Sequence, residues 1–188
     1  VIIPWLTADN LGGVKLDSAG NLLLPGAIAL TLGTHEAFVD KIIAGASTVT
    51  WSRHFTGTDG FGTGLLADAT GNVYVVGNFA GSIDFGSGII SAGSTGDKLF
   101  VVKLNGTDGT TLWAREFGLG DVGFHVHDEW SIAMDASGNL ALAGTLSGAN
   151  DHSAASVVKL DATGLPIWVQ WVGGSGHDEV NGISVDNQ

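Results

Sequence analysis

Short apolar runs broken by Gly, Asn, Asp and Ser recur along the whole chain. Three of them follow one polar phrase: "DSAGN" (Asp17 to Asn21) precedes "LLLPGAIAL", "DATGN" (Asp68 to Asn72) precedes "VYVVGNFAG", and "DASGN" (Asp135 to Asn139) precedes "LALAGTLSG". The runs are rich in Val, Leu and Ile and too short for helices, so they predict strands. In a D-X-X-G-N turn the Asp side chain bonds backbone N–H groups just ahead of it. The Gly, at position 20, 71 or 138, takes a positive φ that other residues resist, so each phrase predicts a hairpin.

Further runs fall into register behind each turn. "AFVDKI" (Ala37 to Ile42), "LFVVKL" (Leu99 to Leu104) and "ASVVKL" (Ala155 to Leu160) align Lys41, Lys103 and Lys159, and "TWSRHF", "LWAREF" and "IWVQWV" align Trp51, Trp113 and Trp168. Trp5, in "PWLT", matches the tryptophan position of an earlier unit. Before the turns stand "GTGLLAD", "WSIAMD" and "NGISVD". The unit therefore holds four strands: A before the turn, B after it, C with the lysine and D with the tryptophan. The turn recurs after 51, 67 and 51 residues (17 to 68, 68 to 135, 135 to 186).

Repeated four-stranded antiparallel units predict an all-β fold, a β-propeller array of about three and a half blades. The expected boundaries are a partial blade over 1–11, blades over 12–56, 57–118 and 119–173, and a partial blade over 174–188. That arrangement gives a lone D strand, three full sets and a lone A strand. A ring of the usual about four to eight blades would not close, so the chain reads as a fragment of something longer or as a unit that assembles. Buried in such blades, each tryptophan removes about 150 to 250 Å² from water, roughly 4 to 6 kcal/mol before entropy, whereas an exposed ion pair contributes at most about 1 kcal/mol. Trp5, Trp51, Trp113 and Trp168 are accordingly expected to pack blades, and Asp17, Gly20, Asp68, Gly71, Asp135 and Gly138 to shape turns.

The turn followed by "VYVVGNF", "SIDFG" (Ser82 to Gly86), "LFVVKL" and "LWAREFG" resembles the secreted bacterial seven-bladed β-propeller (SBBP) repeat. The likeness covers nearly the whole chain and is strongest from Asp68 to Gly118; the first and third units lack "IDFG". "DGTTLW" (Asp108 to Trp113) also resembles, more weakly, the tryptophan-docking repeat of quinoprotein-type propellers, which implies shared packing rather than a quinone. The resemblance implies a secreted or cell-surface, bacterial, structural or adhesive repeat protein.

Composition narrows the partners. Seven basic against nineteen acidic residues give a net charge of −12, which disfavours nucleic acid and anionic membrane surfaces. The longest apolar stretch, Leu22 to Leu32, is interrupted by Pro25 and falls short of the about 20 residues a membrane helix needs, so no membrane insertion is expected. Without cysteine there is no disulfide, thiolate metal site or thiol nucleophile.

In a propeller the A-to-B and C-to-D turns share one face, and the more variable B-to-C and D-to-A loops share the other. Binding resides most often in irregular loops on a rigid scaffold. On that face fall His35 with Glu36, His125, His127 with Asp128 and Glu129, Asp151 with His152, and His177 with Asp178 and Glu179. Imidazoles beside carboxylates respond to pH, and the same atoms bind divalent cations, with His127, Asp128, His177 and Asp178 as the metal candidates. Surface solvation of polar loops is the plainer explanation. H-E-X-X-H, EF-hand, P-loop and G-X-S-X-G motifs are absent, and the acidic turn "GTDG" (Gly57 to Gly60) lacks the ligand density of a calcium loop. "NGT" at Asn105 reads as a turn before it reads as a glycosylation site.

The expectation is thus a non-enzymatic module with no catalytic residue and no cofactor. It would bind protein or glycan, or assemble with itself as a homo-oligomer or filament. Two alternatives stand beside it: a polysaccharide-active enzyme using the His and carboxylate face, and a periplasmic scaffold.

Overall fold

The computed structural model describes residues 10–30, 33–93, 97–118, 129–147, 153–173 and 178–186. All regular structure in them is β, in three antiparallel sheets, and no helix there is long and apolar enough to cross a membrane.

Sheet I holds β1 (Asn10–Leu11), β2 (Lys15–Leu16), β3 (Leu22–Ala29), β4 (His35–Ile42) and β5 (Trp51–Phe55). Its first strand is in two pieces, β1 and β2, both paired to β3 around a break at Gly12 and Gly13. Sheet II holds β6 (Gly57–Ala67), β7 (Val73–Asp84), β8 (Ile89–Ser91), β9 (Lys98–Leu104) and β10 (Thr111–Phe117), where β8 folds back on the end of β7. Sheet III holds β11 (Trp130–Met134), β12 (Leu140–Ser147), β13 (Ser153–Leu160) and β14 (Pro166–Val172). Each sheet is a meander in the expected A-B-C-D order. The described residues form no closed ring.

Two expectations change. "GTDG" is not a turn: it opens β6, and Asp59 pairs with Ala80 of β7. Residues 178–186, expected to hold the last A strand, form no strand; there the Val180 N–H donates to Thr145 Oγ1. Trp5 lies outside the described residues.

Alternation along the strands explains the stacking. On β7, Val73, Val75 and Phe79 face sheet I, while Tyr74 and Val76 face sheet III; on β9, Phe100, Val102 and Leu104 face sheet I, and Leu99 and Val101 face sheet III. Sheet II is therefore buried on both sides, which requires near-continuous apolar strands such as "VYVVGNF".

One layer of the core is filled in two ways. The B strands carry a glycine at matching positions, Gly26, Gly77 and Gly144. A Cβ there would collide with Phe38 (2.8 Å), Phe100 (2.6 Å) or the indole of Trp130 respectively. In sheets I and II the ring comes from strand C. In sheet III, Ser156 occupies the strand-C place and Trp130 of strand A supplies the ring from the other side of Gly144. Close packing sets the volume, and either neighbour satisfies it.

Candidate functional site

The repeated turns are built by one carboxylate each. Asp17 Oδ1 accepts from the N–H groups of Ala19 and Asn21, and Oδ2 from Asn21 Nδ2; Asp68 and Asp135 repeat the pattern. The aligned lysines complete it. Lys41 lies 3.0 Å from Asp17, Lys103 3.7 Å from Asp68 and Lys159 2.7 Å from Asp135. Burial raises the Asp17 carboxyl, but hydrogen bonds from Asn21, Lys41 and Ala19 outweigh it and hold its pKa at about 2. Bonds from Lys159 and Asn139 hold Asp135 well below the ordinary range. Burial acts upward on Asp68 too, and is outweighed by Thr70 and Asn72.

From this braced end, sheet I grips sheet II. Lys41 Nζ and Trp51 Nε1 both donate to the Gly106 carbonyl, at 2.9 and 3.2 Å. Arg53 donates to the carbonyls of Gly109 (2.7 Å) and Asp108 (3.3 Å). The Trp51 ring lies against Gly109, where an added Cβ would sit 2.8 Å from it. Gly109 has φ +71°, so the turn needs glycine twice over: for its backbone and for the ring. The second junction repeats the theme: the Trp113 ring lies against Gly164 (φ +82°, added Cβ at 2.8 Å), with the Arg115 guanidinium over the Trp113 ring at 5.6 Å.

Sheet III is the last of the described sheets. Trp168 holds the position of Trp51 and Trp113, and Gln170 that of Arg53 and Arg115. Trp168 is 47% exposed where Trp51 is 9% exposed, and among the described residues Gln170 Nε2 donates to the carbonyl of its neighbour Trp171. No described sheet follows to receive Trp168, so its expected packing between sheets lies beyond the described residues. Every residue of β14 is exposed.

The other end of the strands places some of the histidine and carboxylate candidates. His35 and Glu36 point to opposite sides of β4 and find partners other than each other. His35 Nδ1 lies 2.9 Å from Asp59 Oδ1, which also accepts the His35 backbone N–H, and the imidazole packs on Phe61. Glu36 pairs instead with His54 Nδ1, at 2.8 Å, across the strand. His54 and Asp59 were not among the sequence candidates; strand alternation at His35 and the cross-strand position of His54 are the signals that point to them. Glu129 is exposed and, with Lys15, Thr63 and Asn181, helps line a cavity of about 350 Å³ between the first strands of the sheets. Asp178 lies against Gly173, and Glu179 is exposed. His125, His127, Asp128, Asp151, His152 and His177 lie outside the described residues. Among the described residues no three His, Asp or Glu side chains converge as a metal site.

In comparisons with known proteins, no family model matches this chain and no curated protein matches it.

Proposed function

We propose that the chain is a non-enzymatic segment of a β-propeller, the three sheets being consecutive blades, and that it serves a structural and adhesive role by associating with protein through the third blade. The observation that carries this reading is β14, an outermost strand of its sheet whose every residue is exposed although most are apolar. Trp168, Gln170 and Val172 lie on one side of β14 and Ile167, Val169 and Trp171 on the other, most of them apolar. Contiguous exposed apolar surface of this kind marks interaction sites. The resemblance of the repeat to secreted bacterial propellers supports a place outside the cell or on its surface.

Light scattering over a wide concentration range, at pH 7.5 and pH 5 and with and without a chelator, tests the reading. Particles heavier than the 19.1 kDa chain, dissociating on dilution and weakened by Trp168→Ala, are expected. A particle of 19.1 kDa at every concentration would sink it.

A further inference from the structure

The three outermost strands differ in how they guard their free edges. In the described sheets β5, β10 and β14 each pair on one side only, with β4, β9 and β13. β5 reads "WSRHF" and β10 "TLWAREF", so each carries an arginine with a second polar or charged side chain beside it. β14 reads "PIWVQWV" and carries no charge at all. No Asp, Glu, Lys or Arg occurs between Asp161 and Asp178. An edge strand that is long, uncharged, β-branched and aromatic is a template for another strand, since its outward N–H and C=O groups lack a ladder and nothing repels a partner.

We propose that β14 pairs antiparallel with β14 of a second copy of this chain, joining two third sheets across a two-fold axis at Gln170; this rests on the association read above and names its partner and geometry. A chain of net charge −12 repels itself over most of its surface, and β14 is a stretch where two copies approach without bringing like charges together. Self-pairing also suits the sequence. A two-fold axis perpendicular to the sheet brings residues of like parity opposite one another. Centred at Gln170, it sets Trp168 opposite Val172 and Val169 opposite Trp171, aromatic against β-branched on both faces, pairs that stabilise antiparallel sheets. Gln170 meets its own copy, and an amide, donor and acceptor at once, is self-complementary. Pro166, which lacks an N–H, falls at the end of the ladder, where its loss matters least. An isologous contact of this kind closes as a dimer, whereas docking of the Trp168 face onto another blade would run head to tail into rings or filaments.

The absence of cysteine makes a direct test available. Gln170→Cys in the full chain places two thiols opposite each other at the axis, within disulfide reach in an antiparallel pair. Mild oxidation should give a covalent dimer at least about tenfold faster than Leu112→Cys, an exposed position on β10. Val169→Lys should weaken association about tenfold or more, because a charge on the edge blocks strand addition, with circular dichroism confirming that the fold is kept. If the wild-type chain associates but Gln170→Cys cross-links no faster than the control and Val169→Lys changes nothing, edge pairing is overturned while the association reading survives. If the wild-type chain stays monomeric, both fall.

Discussion

Trp51 and Trp168 occupy the same position in their sheets and meet opposite fates. Around Trp51, Lys41, Arg53 and the indole N–H take three carbonyls of the 106–109 turn, and Gly109 leaves room for the ring. Around Trp168 the same strand geometry is present, but Gln170 replaces the arginine and the ring is half in water. The residue type does not decide its role. The next sheet does: the turn that receives a tryptophan belongs to the unit after it, so each junction is set by both neighbours.

The sharpest way to break the comparison is to truncate both tryptophans. Trp51→Ala should cost about 3 to 5 kcal/mol, the usual range for removing a buried aromatic. It should also leave the Gly106 carbonyl with one donor fewer. Trp113→Ala should cost less, in keeping with its partial exposure, and Trp168→Ala should stay within about 1 kcal/mol in the monomer. Urea denaturation at low protein concentration measures all three. Equal losses at Trp51 and Trp168 would show that the junction does not carry the difference.

The turn chemistry was legible from sequence because it is local. Asp17 binds N–H groups two and four residues on, so the D-X-X-G-N spelling contains its own explanation. Strand order and the C-strand lysines could be read off the repeat for the same reason. What escaped is non-local: the lysine's carboxylate partner, the turn gripped by Trp51 and Arg53, and the exchange of Phe100 for Trp130 across the B-strand glycine. The repeat gave a hint even so, since Asp and Lys recur together in all three units. His35 shows the limit from the other side. Its neighbour in sequence is Glu36, but alternation on β4 turns the two apart, and the bond goes to Asp59 of the next sheet. The spelling "NGISVD" predicts a lone A strand over 174–188, yet residues 178–186 form none.

A second contrast sets the buried ion pair of the first sheet against its buried lone acid. Asp17 is held at about 2 by its bonds with Asn21, Lys41 and Ala19. A depressed carboxylate contributes stability that is complete above its unfolded pKa, near 3.8, and lost as pH falls through the folded value. After allowance for solvent screening this contribution is about 1 to 2 kcal/mol. Asp17→Asn should therefore lower the unfolding midpoint at pH 7 and make little difference at pH 2, as followed by thermal denaturation. A penalty that is the same at both pH values would assign the effect to turn geometry and not to charge.

Asp40 is the opposite case, with the smallest expected effect. It stands on β4 where β9 and β13 carry Val102 and Val158, is 6% exposed, and its Oδ1 has no hydrogen-bond partner among the described residues. Burial pushes its carboxyl up, and the Ser52 hydrogen bond and nearby His54 offset that only in part. A raised folded pKa means that the folded chain binds the proton more tightly than the unfolded chain. Stability from this group is therefore full at low pH and falls as pH rises from about 4. Asp40→Asn removes the penalty where it is largest, so it should stabilise the fold by up to about 1 kcal/mol at pH 7.5 and by nothing measurable at pH 3. The comparison with Asp17→Asn is made in one pH series on the two variants. The curves should diverge from wild type in opposite directions as pH rises, and parallel curves would show that these two carboxylates do not have opposed environments.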